Sequence, residues 1–128
     1  NNEGGCALII DYGDWHSLGS TLQAVKSHKV AKIFDRPGEV DLTCHVDFEA
    51  LARSSGCAYS KLTTQGVFLE RLGISDRANL LLKNSKPEYK NSIISAHRRL
   101  THPDEMGTLF KVLGLFPKDR NSPAGLIL

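Results

Sequence analysis

Residues Cys6 to Ile10 read Cys-Ala-Leu-Ile-Ile, an unbroken apolar run that stops abruptly at Asp11-Tyr12-Gly13-Asp14. A short run without polar alternation is the pattern of a strand covered on both faces. Such strands belong to parallel α/β sheets, whose chemistry sits just beyond the carboxyl ends of the strands. Asp11, Tyr12 and Gly13 fall at that point. Too little sequence precedes the run to supply a neighbouring strand or helix, so the chain is expected to enter its fold partway.

The length of 128 residues fits one domain. The net charge is +2, with Lys and Arg scattered, which gives no pull toward nucleic acid or an anionic membrane. The densest basic spot, His97-Arg98-Arg99, falls in an expected helix and suits a solvated face. No apolar run approaches the roughly 20 residues needed to cross a bilayer. The polar, acidic start lacks the basic region of a signal peptide. Neither nucleic acid nor membrane is therefore expected as a partner. The three cysteines, Cys6, Cys44 and Cys57, cannot all pair with one another and form no C-x-x-C, which favours a reducing compartment. Cys6 is expected as a small buried hydrophobe.

After the first strand, Asp14 to Ser20 reads as a loop, and Thr21 to Val30 as either a helical turn or a strand. Arg36-Pro37-Gly38-Glu39 signals a turn. Asp47 is placed to cap a helix from Phe48 to Arg53, which Gly56 stops. Cys57 to Leu62 reads as a second strand. Thr63 to Gly66 is expected as the turn into a helix over 67–72, ended by Gly73. Ser75 is expected to cap a helix over 76–84. Pro87 suits the first turn of another that runs past Leu100. His102 to Glu105 breaks it, and Thr108 to Phe116 forms a final strand, with Lys111 an exposed edge residue. The order points to an α/β architecture in which a helix crosses between the first two strands.

No glycine-rich cofactor fingerprint, Walker loop, H-E-x-x-H or G-x-S-x-G is present. Gly4-Gly5 precedes a strand instead of following one, so it cannot offer amides to a phosphate at a helix start. Asp11 either orients a cationic or amide group in the crevice above the sheet or caps the next element through an Asx-turn. Tyr12 and Trp15 either wall a flat ligand or pack in the core. His45 and Asp47 form either an acid-base pair or a histidine packed beside a helix cap. Gln65 either presents its amide to a ligand or satisfies a loop carbonyl.

Taken together, several segments resemble a known family. They are Gly4-Gly5-Cys6-Ala7-Leu8-Ile9-Ile10-Asp11-Tyr12-Gly13, Asp41-Leu42-Thr43-Cys44-His45-Val46-Asp47-Phe48, Thr64-Gln65-Gly66-Val67-Phe68 and Met106-Gly107-Thr108-Leu109-Phe110-Lys111. In this order they are similar to the carboxyl-terminal part of the MidA-type methyltransferases, which depend on S-adenosylmethionine and include a mitochondrial factor for assembly of respiratory complex I. The resemblance implies a class I, Rossmann-like methyltransferase sheet with helices on both faces. Residues 1–128 would be a single partial domain holding the fifth to seventh strands, with a helical substrate-side cap over about 66–103. The family's glycine-rich cofactor loop and its ribose-binding acid have no counterpart here. The main S-adenosylmethionine site is therefore expected upstream, and the isolated chain is expected to be inactive.

On the substrate side, the resemblance implies Asp11, His45 and Asp47 as catalytic residues and Tyr12, Gly13, Thr43 and Gln65 as substrate-binding ones. The acceptor would be a protein arginine, whose planar guanidinium pairs bidentately with a carboxylate. Bacterial cytoplasm or the mitochondrial matrix would be the compartment, and a homodimer could cover an open sheet edge. Two other readings stand beside this one. One is a non-catalytic interaction or assembly module using the helices from Ser75 to Leu100. The other is a different α/β enzyme with Asp11 and His45 as its acid-base pair.

Overall fold

The opening apolar run and the final one pair with each other. The computed structural model describes residues 4–35 and 37–128, so Arg36 of the expected turn lies outside the described residues. In chain order the elements are β1 (Ala7–Asp14), β2 (Gln23–Lys26), β3 (Lys29–Ala31), β4 (Asp41–Thr43), β5 (Val46–Asp47), α1 (Phe48–Ser54), β6 (Ala58–Tyr59), β7 (Thr63–Thr64), α2 (Gln65–Arg71), α3 (Ile74–Asn84), α4 (Pro87–Thr101) and β8 (Phe110–Phe116). A wide helical turn, Pro103–Gly107, joins α4 to β8.

The main sheet has the order β5-β1-β8-β6, with β7 also on β8. β1 runs parallel to β5 and antiparallel to β8, from Ala7 opposite Leu115 to Tyr12 opposite Phe110. β6 and β7 are antiparallel to β8 as well. β1 and β6 therefore point the same way, as a crossover through α1 requires, but β8 lies between them. This placement corrects the expected edge position of Lys111: its strand is central, and its side chain is half-buried.

Val112, Leu113 and Phe116 of β8 are buried, and the first two are wholly inaccessible. Alternation along the strand sends Leu113 to one face, with Phe48 and Ala52 of α1, and Val112 to the other, with Phe68 of α2 and Leu126. The expected second strand is realised only over Ala58–Tyr59: the ladder is interrupted from Ser60, and Thr63–Thr64, expected as part of a turn, pairs with β8 instead. The buried Ser60 hydroxyl accepts from the Gly114 amide at 3.0 Å and donates to the Lys61 carbonyl at 3.1 Å. A bulge satisfied from its own side chain can stay dry inside the sheet.

Two expectations at the start of the chain are corrected. The opening strand is covered on one face only. Ile9 packs against the α1 core, while Leu8 and Ile10 are 48% and 46% exposed, because α2 covers Val112 without reaching across to β1. Cys6 is exposed, just before the strand begins, so it is not a core residue.

Gln23–Lys26, Lys29–Ala31 and Asp41–Thr43 form a separate three-stranded sheet, β3-β2-β4, of which the sequence left Thr21 to Val30 as helical turn or strand. Its hairpin turns at Ser27 and His28, both left-handed with φ of 49° and 61°. That pair of dihedrals matches the strand twist of a two-residue hairpin.

Asp47 caps α1 as expected, with its Oδ1 accepting from the Ala50 amide at 2.9 Å. Pro87 opens α4, also as expected. Ser75, in contrast, lies inside α3. The helix starts earlier, after Gly73 in the left-handed conformation, and the Ser75 hydroxyl is engaged by the Glu70 carboxylate at 2.8 Å. Gly66 and Gly107 both press on the Thr101 carbonyl. A Cβ built on them would lie 2.6 and 2.0 Å from that oxygen, so only glycine lets α2 and the 103–107 turn close on the end of α4.

Candidate functional site

The carboxyl end of β1 gathers polar and aromatic groups from three strands. Gly13 sits opposite Val46 of β5, and a Cβ there would fall 2.2 Å from the Val46 carbonyl oxygen. Glycine thus sets the spacing of the two strands. One residue earlier, Tyr12 of β1 lies beside His45, which immediately precedes β5, ring centroids 5.8 Å apart and edge-on at 75°. On the other side of β1, Tyr12 meets Phe110 of β8 at 5.7 Å and 89°. Phe110, Tyr12 and His45 form one transverse row of rings across the sheet, in the edge-to-face arrangement that ring quadrupoles favour. The His45 main chain is fixed by its amide, which donates to Thr21 Oγ1 at 3.0 Å.

Asp11 belongs to a second row. Lys111 is its register partner, and Thr64 is the next across. Alternation puts this row on the α1 side of the sheet, opposite to Tyr12 and Phe110. Asp11 Oδ1 accepts the Tyr12 amide at 2.8 Å. The Lys111 ammonium turns away to the Thr108 carbonyl at 2.8 Å. The Asp11 carboxylate is thus half-buried, without an ion pair among the described residues. It can take a cationic partner such as a guanidinium.

The loop after β1 is held against α1. The Trp15 carbonyl accepts the Glu49 amide at 2.9 Å, and Ser17 donates its amide to Asp47 Oδ2 at 3.2 Å. His16 contacts Glu49, which also pairs with Arg53 at 2.5 Å. Trp15 packs on the Phe48 core and lies 6.0 Å from the Tyr59 ring, so it does not face Tyr12's row.

Asp47 therefore clamps two backbone segments, and the structural side of its sequence reading is realised. The Ala50 amide first, then the Ser17 amide, hold its carboxyl below the ordinary carboxylate value, with the charge of His16 adding to this. A carboxyl lowered in the native state stabilises the fold above its unfolded pKa. That stabilisation fades as pH falls through the lowered native value. Chemical-denaturant titrations across the acid range should show this loss in the native chain. Asp47→Asn should flatten it, and an unchanged acid limb in that variant would contradict the clamp.

Gln65 is placed away from these rows. It is 6% exposed, and its Nε2 donates to the Leu100 carbonyl at 2.9 Å, so its amide ties α2 to α4. Thr43 ends β4, opposite Gln23. The structure thus brings together Tyr12 and His45 at the strand end, holds Gly13 as their spacer, and sets Asp11 on the opposite face. Phe110 was missed. Its segment was legible as a strand, but its register against Tyr12 depends on a pairing across nearly 100 residues.

The described residues do not fit the main site of S-adenosylmethionine. β1 runs into the Trp15–Ser17 loop, and Gly4 and Gly5 precede it with open space around them, so no glycine loop opens a helix at a strand end.

The sheet order and its polar carboxyl end are those of a methyltransferase fold. Two crystal structures from Burkholderia thailandensis match it at 28% sequence identity. One has a TM-score of 0.80 over 96% of this chain and 35% of its own. The other, bound to S-adenosyl-homocysteine, has a TM-score of 0.77 over 94% of this chain and 34% of its own.

The chain belongs to the family described as "Putative S-adenosyl-L-methionine-dependent methyltransferase", whose model matches residues 1–68. Its relatives include the protein arginine methyltransferase NDUFAF7 homolog, mitochondrial, of Drosophila melanogaster. That protein is 39% identical over 119 residues, which make up 90% of this chain and 27% of the relative. The NDUFAF7 proteins of Xenopus laevis and Homo sapiens, also named mitochondrial protein arginine methyltransferases, are 37% and 32% identical. They cover 94% and 91% of this chain, and 28% and 27% of their own lengths. The chain spans about a quarter of the curated relatives it matches.

Proposed function

We propose that this chain is the carboxyl-terminal, acceptor-side part of an S-adenosylmethionine-dependent protein arginine methyltransferase of the mitochondrial matrix. The observation that carries the reading is the half-buried Asp11 carboxylate toward the carboxyl end of β1, with no ion pair among the described residues, on the face opposite the ring row of Tyr12. The names of the relatives and the S-adenosyl-homocysteine in a structural neighbour support it. β1, β6 and β8 are the fifth, sixth and seventh strands of the complete sheet, and the helices over about 66–103 form its cap. Bound S-adenosylmethionine would supply an electrophilic methyl group from outside these residues.

The residues here prepare the acceptor. From opposite faces of the strand, Asp11 orients the guanidinium and His45 takes the proton that the substituted nitrogen must shed, so the acceptor lies over the sheet's end between them. Gly13 acts through the spacing of β1 and β5, and Asp47 through the loop and helix it clamps.

The test uses the full-length protein that contains this chain, with labelled S-adenosylmethionine and mitochondrial protein as acceptor. Label should appear on arginine. Asp11→Asn should lower turnover about tenfold or more, the scale of a lost charged hydrogen bond, with cofactor affinity unchanged. Full turnover in that variant removes Asp11 from the site. Absence of labelled arginine in the unaltered protein removes the function.

A further inference from the structure

We propose that Phe110 is a positioning residue for His45, acting through the Tyr12 ring. The inference rests on the acceptor-side reading above and adds to it the part that holds the proton acceptor in place. His45 is exposed. Its amide is anchored to Thr21, and among the described residues its imidazole has only the Tyr12 ring for a partner, edge-on at 75°. Neither ring nitrogen is occupied by a hydrogen bond within the described residues, so the unprotonated one is open to a ligand's N–H.

Tyr12, half-buried, is in turn backed by Phe110 at 89°. Phe110 begins the central strand, where Val112 and Leu113 are wholly inaccessible and three strands pair. The buried central strand is thereby linked to an exposed candidate base through two ring contacts. The orientation of the imidazole is relayed, since no hydrogen bond fixes it.

The step it serves is a proton transfer. The guanidinium nitrogen that has gained a carbon substituent breaks its N–H bond. The electron pair stays on that nitrogen, and the proton moves to an imidazole nitrogen of His45. Edge-to-face contact needs a ring at 110; an aliphatic side chain fills the space without aiming Tyr12.

The experiment compares Phe110→Leu and Phe110→Tyr in the full-length protein. Phe110→Leu should lower kcat about three- to tenfold, the reach of one ring pair, leave KM for S-adenosylmethionine unchanged, and alter the acid limb of the kcat–pH profile. Phe110→Tyr keeps the ring and should recover most of the loss. Independently of turnover, the imidazole nitrogen resonances of His45 should move in Phe110→Leu and return in Phe110→Tyr. If Phe110→Leu fails to fold, Tyr12→Leu breaks the same relay and should give the same profile and resonance changes.

A folded, active variant that keeps its kcat, pH profile and His45 resonances overturns this role alone. An unaltered protein that binds S-adenosylmethionine and transfers nothing to arginine overturns the function and this role together.

Discussion

Gly13→Ala should cost about 3 kcal/mol and lower the melting temperature of the chain by roughly 10 °C. The added methyl would meet the backbone of Val46, with its carbonyl oxygen at 2.2 Å and its nitrogen at 2.8 Å. Main chain cannot swing aside as a side-chain tip can, so the two strands must part. Their ladder has only two register pairs, Gly13 with Val46 and Asp14 with Asp47. Parting them would also carry His45 away from Tyr12. Thermal unfolding followed by circular dichroism measures the stability, and the His45 resonances report the displacement. A native melting temperature in the variant would refute the tight approach.

Phe48→Ala should be more damaging still, at about 3–5 kcal/mol. Phe48 is the first residue of α1, is wholly inaccessible, and packs against Ala52 and Leu113, with Ile9 and Trp15 around them. A small neighbour such as Ala52 cannot expand into the space left behind. Domains of this size hold about 5–15 kcal/mol in all. Urea unfolding should show an earlier midpoint at an unchanged slope, the mark of a weaker native state. A loss below about 1 kcal/mol would mean that the site collapses around the gap.

What the sequence disclosed was local. The Asp47 cap and the Pro87 start are each decided within one turn of helix, by a side-chain acceptor and by a fixed φ. The end of β1 was legible because an apolar run stopped at an aspartate. The β2–β3 hairpin was hidden because Ser27 and His28 adopt left-handed backbone without the glycine or asparagine that usually announces it. Lys111 was misplaced because periodicity along one strand carries no information about which strands flank it. Leu8 and Ile10 match a doubly covered strand in composition, yet the second cover is not among the elements described. Within the site, Tyr12 and His45 were named from their segments, while Gln65 drew attention as a loop amide and turned out to be a brace between two helices. Phe110 required the register, and register is a property of the assembled sheet.

The insertion of the last strand between the first and the sixth governs the order in which this molecule can form. β1 and β6 never touch each other's edges; both wait for β8. On a ribosome, residues 7–109 can curl into helices and hairpins, but the keystone arrives only with Phe110–Phe116. Closing a ladder from Ala7 to Leu115 means gathering a loop of about a hundred residues, which slows folding and leaves the early strands unzipped meanwhile. A nascent chain stalled before Phe110 would be a natural client for chaperones.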